Sequence, residues 1–110
     1  MNRVDQRLVV FERPNGQRPF QDWLQKLADS KARAVIRARL ERVRLGNFGN
    51  CRSVGDGVEE LKIAYGPGYR VYFGRKSKIL AILLCGGDKG SQRPDIERAK
   101  QYWKEHCDAD

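Results

Sequence analysis

Lys62, Arg70 and Tyr72 stand on either side of the tripeptide Gly66-Pro67-Gly68. A Gly-Pro-Gly turn between alternating segments predicts a β-hairpin. With a three-residue loop, Tyr65 faces Tyr69, Ala64 faces Arg70 and Lys62 faces Tyr72. Side chains alternate between faces, so Glu60, Lys62, Ala64, Arg70 and Tyr72 share one face, and Leu61, Ile63, Val71 and Phe73 share the other. A Lys, an Arg and a Tyr without a carboxylate pair or a metal-ligand set suit phosphate chemistry, in which Arg offers a planar fork of donors and Lys a point charge. RNA brings its own nucleophile, the 2′-hydroxyl. Cleavage by that route needs a base, cations for the developing charge and an acid for the leaving oxygen. A lysine crowded by cations has its charged form disfavoured and so can serve as the base. Aromatic rings on the same surface can stack an unpaired base. On patterning alone, a solvated strand face explains the alternating Lys and Arg at least as well.

The elements that position these residues follow from local pattern. Leu8 to Phe11 reads as a strand closed by the turn Arg13-Pro14-Asn15-Gly16. Phe20, Trp23, Leu24 and Leu27 recur at helical spacing after Pro19. Asp29 and Ser30 offer an N-cap to a second helix that carries Ala32, Ile36, Leu40 and Val43 inward, with Lys31, Arg33, Arg37, Arg39, Arg42 and Arg44 outward and Gly46 as its stop. Residues 47–57, rich in Gly and Asn, read as a loop. The hairpin strands follow, then a continuous apolar strand from Ile79 to Cys85 ended by Gly86-Gly87, and a closing helix after Pro94 carrying Ile96, Ala99 and Trp103. The predicted order is β-α-α-β-β-β-α, an α+β fold. A helix hairpin covers the apolar sheet face and the cationic face stays open.

With 110 residues, the chain is one domain, residues 1–110, which excludes a two-domain cofactor enzyme. Twenty-two Lys and Arg against 14 Asp and Glu leave +8, a charge that favours a polyanion, a membrane surface or an acidic protein as partner. No apolar stretch is long enough to span a membrane and the start has no signal-peptide core, so a soluble, cytoplasmic protein is expected. Cys51, Cys85 and Cys107 are widely spaced, and with His106 the lone histidine neither a disulfide framework nor a metal site is expected. Gly66-Pro67-Gly68 and the Gly86–Gly90 segment lack phosphate-loop spacing and read as turns. Cys85, Trp23 and Trp103 read as core, His106 as solvated, and the Arg-rich second helix as a solvated face.

The run from Glu60 to Phe73, with YGPGYR at its centre, and the later Leu83-Leu84-Cys85-Gly86-Gly87-Asp88-Lys89-Gly90-Ser91-Gln92 closely resemble toxins of bacterial type II toxin–antitoxin modules. More narrowly, they resemble the HigB-like addiction module killer protein branch of the RelE/ParE superfamily. The first strand, the helix pair and residues 95–100 fit in order. The resemblance implies a microbial-ribonuclease-like fold, an antiparallel-dominated sheet with two N-terminal helices on one side. It implies a metal-independent, cofactor-free endoribonuclease that cuts messenger RNA on the ribosome. The implied partner is a cognate antitoxin, a small helix-turn-helix protein, with operator DNA reached only through the complex of the two. Carried over by position, Lys62, Arg70 and Lys89 are the implied catalytic set, and Tyr72, Asp88, Gln92 and Arg75 the residues for RNA binding. Tyr102 and His106 do not inherit a role. The same superfamily contains gyrase-directed, ParE-like toxins, and a non-catalytic basic domain that binds RNA or ribosomes is a third class.

Overall fold

The computed structural model, described for residues 3–109, runs β1 (Arg7–Val10), α1 (Pro19–Lys26), α2 (Ser30–Arg44), β2 (Cys51–Gly55), β3 (Val58–Ile63), β4 (Tyr69–Ser77) and β5 (Leu80–Asp88), then a 3-10 turn (Lys89–Ser91) and α3 (Gln92–Asp108). The strands form one mixed sheet ordered β1-β5-β4-β3-β2, with β1 parallel to β5 and the other pairs antiparallel. This remains an α+β fold, but the order is β-α-α-β-β-β-β-α, which corrects the expected β-α-α-β-β-β-α.

The additional strand, β2, lies where a loop was expected. It is an edge strand with little apolar surface to bury, so Cys51-Arg52-Ser53-Val54-Gly55 carries no strand-like alternation of apolar residues. Its pairing with β3 comes from the turn: Asp56 and Gly57 both have positive φ, 55° and 83°, between the paired Gly55 and Val58. Two consecutive positive-φ residues of the type Asp-Gly are a tight hairpin connection whose twist matches that of the strands.

The two early helices also depart from expectation, for they do not pack as a hairpin on each other. α1, opened by Pro19 at its first turn, seats on β5. α2, capped by the Asp29 carboxylate accepting from the Lys31 amide at 2.9 Å, sends Ala32, Ile36, Leu40 and Val43 into the same apolar layer. That layer meets Leu61, Ile63, Val71, Phe73 and Leu83. Arg39, expected outside, is buried instead and donates to the Asn47 and Phe48 carbonyls, tying the helix end to the chain leaving it.

The opposite sheet face is not open. α3 covers it, packing Ala99 and Tyr102 against Val58, Tyr72, Ile82, Leu84 and Cys85. Glycines make close approach possible on both faces. A Cβ at Gly74 would lie 2.4 Å from the Trp103 ring, and one at Gly86 2.3 Å from the Trp23 ring. Gly86 and Gly87 therefore lie inside β5, which continues to Asp88. Cys85 and both indoles belong to the packed layers, as expected.

Candidate functional site

The β3–β4 register pairs Ile63 with Tyr69, Lys62 with Arg70 and Glu60 with Tyr72. The connecting loop is thus five residues, 64–68, and the register is shifted by two from the expected one. A shift of two preserves parity, so the residues stay on their expected faces while the partners change. Lys62 stands beside Arg70 directly. Because Arg70 pairs with Gly87 on its other side, Lys89 follows from β5 at the same end of the sheet. The Asp88 side chain accepts from the Gly90 amide at 2.8 Å, and Ser91 bonds back to the Asp88 backbone, which closes the turn carrying Lys89.

Lys62, Arg70 and Lys89 line one cleft of about 360 Å³. Asn50, Arg52, Glu60 and Gln92 complete its wall. Lys62, Lys89 and Arg52 are exposed, whereas Arg70 is only 4% exposed. One Arg70 amino nitrogen donates to the Gly68 carbonyl, and the Nε is buried without a hydrogen-bond partner, 4.0 Å from Glu60 Oε1. Gly68, at φ 83°, leaves room for that guanidinium; a Cβ there would come within 2.9 Å of it. The Gly-Pro-Gly turn therefore does more than reverse the chain.

Glu60 is the carboxylate at the base of the cleft, 2% exposed. Arg52 Nε donates to it at 2.9 Å, the Tyr72 hydroxyl at 2.9 Å and Gln92 Nε2 at 3.0 Å. Burial pushes the carboxyl up, but these three hydrogen bonds outweigh burial and hold it below its usual range. Four cations and one satisfied carboxylate make a site that attracts an anion and keeps one donor, Arg70 Nε, unsatisfied. An unsatisfied buried donor is costly, and the anionic oxygen nearest to it is Glu60 Oε1 at 4.0 Å.

Several expected RNA-binding residues lie elsewhere or are committed. Tyr72 is fully buried and offers no ring surface to a base; burial and Glu60 raise its hydroxyl far above the ordinary tyrosine value. Arg75 is on the other sheet face, 3.7 Å over the Phe48 ring and 2.6 Å from Glu59. Asp88 serves the turn, and Gln92 reaches the cleft but holds Glu60. His106, expected to be solvated, stacks partly buried on Trp103 and meets Phe11, and Tyr102 also lies in that layer; neither lines the cleft. Glu60, Arg52 and Asn50 are the cleft residues that pattern reading passed over. Parity alone put Glu60 on the face of Lys62, and the Asp56-Gly57 pair was the signal for the strand that carries Arg52.

No family model matches the chain. An uncharacterized protein of Haemophilus influenzae (strain ATCC 51907 / DSM 11121 / KW20 / Rd) is 52% identical to it over 81 residues, 74% of this chain and 82% of the relative. This chain belongs to the same protein family as that Haemophilus influenzae protein.

Proposed function

We propose that the protein is the toxin of a type II toxin–antitoxin module, of the HigB-like branch of the RelE/ParE superfamily. It acts in the cytoplasm as a ribosome-dependent messenger RNA endoribonuclease. The observation that carries this reading is the convergence of Lys62, Arg70 and Lys89 on one cleft.

In the reaction, Lys62 takes the proton of the 2′-hydroxyl as the oxygen attacks phosphorus. Arg70 binds the non-bridging oxygens as their charge grows, its fork matching two of them. Lys89 gives a proton to the leaving 5′-oxygen. The new 2′-O–P bond and the broken P–O5′ bond leave a 2′,3′-cyclic phosphate and a free 5′-hydroxyl, and the scheme uses no metal or cofactor. An acidic segment of a helix-turn-helix antitoxin is the partner that neutralises such a surface, and the pair together bind operator DNA. Among the described residues no helix is long and apolar enough to cross a membrane, and no membrane partner enters the scheme.

The deciding experiment induces the protein in cells and maps transcript ends. Codon-phased cuts that require translation, lost together with growth inhibition in Lys62→Ala and Arg70→Lys, are the expected result. Arg70→Lys keeps the charge but removes the planar fork. Intact transcripts with accumulating gyrase–DNA complexes, or toxicity kept in both variants, would overturn the reading.

A further inference from the structure

Arg52 sits on the edge strand with its side chain 63% exposed, yet its Nε is fixed at 2.9 Å on a carboxylate that is 2% exposed. Its two amino nitrogens make no hydrogen bond to any other described residue, and the residue lines the cleft. The same carboxylate oxygen, Glu60 Oε1, lies 4.0 Å from the Nε of Arg70, which has no hydrogen-bond partner. Glu60 is itself held from two further directions, by Tyr72 on β4 and Gln92 on α3, so it cannot follow either arginine. Arg52 is thus anchored on an immobile anion beside Arg70, which the Gly68 carbonyl holds, where mutual repulsion would otherwise drive the exposed guanidinium into solvent. We propose that Glu60 is the positioning residue of the cleft and that, through it, Arg52 acts with Arg70 as a two-arginine clamp on the RNA phosphodiester backbone. This extends the nuclease reading of the same cleft by naming what holds the backbone there.

The geometry makes a prediction opposite in sign to simple electrostatics. Removing a negative charge from a cationic cleft strengthens RNA binding if charge alone matters. If Glu60 positions Arg52, its loss weakens binding. The probe is a mixed-sequence 2′-O-methyl oligoribonucleotide, which lacks the nucleophile and stays intact, titrated at several salt concentrations. Glu60→Gln is expected to weaken binding about tenfold, the equivalent of one charge-assisted hydrogen bond. Arg52→Ala should do the same and lower the slope of log affinity against log salt by about 0.7, one single-strand phosphate contact. The double variant should lose no more than either single one, because both changes remove the same contact. Lys104→Ala, at an exposed position on α3 paired with Asp108, is the control expected to leave affinity unchanged.

Equal or tighter binding by Glu60→Gln, full additivity in the double variant, an unchanged salt slope in Arg52→Ala, or no binding of the probe by the wild-type protein would each overturn the proposal. Should Glu60→Gln fail to fold, Arg52→Lys decides. A lysine keeps the charge but not the planar fork that spans carboxylate and phosphate, so it must bind more weakly than the wild type, and wild-type affinity would refute the clamp. The two levels separate cleanly. Uncut transcripts alongside Arg52-dependent binding remove the nuclease and leave the clamp, whereas codon-phased cleavage with unimpaired Glu60→Gln binding removes the clamp alone.

Discussion

Tyr72 and Glu60 show how a buried hydrogen bond divides labour between stability and chemistry. The Tyr72 hydroxyl donates to Glu60 at 2.9 Å inside the protein, with no surface toward the cleft. Tyr72→Phe should therefore cost about 1–2 kcal/mol in denaturant unfolding, the loss of one bond to a charged group. RNA binding should stay within about twofold of wild type, because Arg52 and Gln92 still hold Glu60. A large affinity loss in a variant of wild-type stability would instead make Tyr72 a nucleic-acid contact. The carboxylate also carries a pH dependence. Its folded pKa is depressed, so its contribution to stability is fully present above the unfolded value of about 4.5 and is lost as pH falls through the folded pKa. Melting temperature should fall on acidification below that point in the wild type, with a shallower acid limb in Glu60→Gln.

Turns and glycines decide how the elements present the cleft. Gly57 has φ 83°, and a Cβ there would come within 2.6 Å of the Trp103 indole nitrogen. Gly57→Ala thus strains the backbone and crowds α3, at about 1–3 kcal/mol. Since that turn docks β2, the substitution should also detach Arg52 and lower the salt slope of RNA binding, as Arg52→Ala does. Wild-type slope in a destabilised Gly57→Ala protein would mean that Arg52 is held without the turn. The same features explain what pattern reading could and could not supply. Helical spacing found α1, α2 and α3, because their buried stripes face an apolar sheet. An edge strand has no such stripe, so β2 was hidden in a Gly-rich segment, and Gly86-Gly87 read as a stop although those glycines make room for Trp23 and Asp95.

For the whole molecule, +8 on 110 residues divides unevenly. Part of it is internal, with Arg39 buried and committed to backbone carbonyls. Four cations surround the cleft, and a neighbouring groove of about 560 Å³ between α2 and β3 shares Asn50 and Lys62 with it and adds Arg42. If the cleft cations each meet a phosphate, log affinity for single-stranded RNA should fall against log salt with a slope of about 3, at about 0.7 per contact. A slope near zero would place binding away from these cations.

By itself the sequence determined the faces. A period of two along β3 and β4 put Lys62, Arg70 and Glu60 on one side and the apolar residues on the other, and no register shift by an even number could undo that. It also determined the helices and the excess of positive charge. Only the tertiary structure decided that Lys62 meets Arg70 rather than Tyr72, that α3 closes over the face expected to be open, and that Glu60 gathers Arg52, Tyr72 and Gln92. The reason is separation along the chain. Gln92 lies 32 residues from Glu60, and whether a charge at position 60 or 70 meets solvent or a partner depends on what packs over it, which local periodicity does not encode.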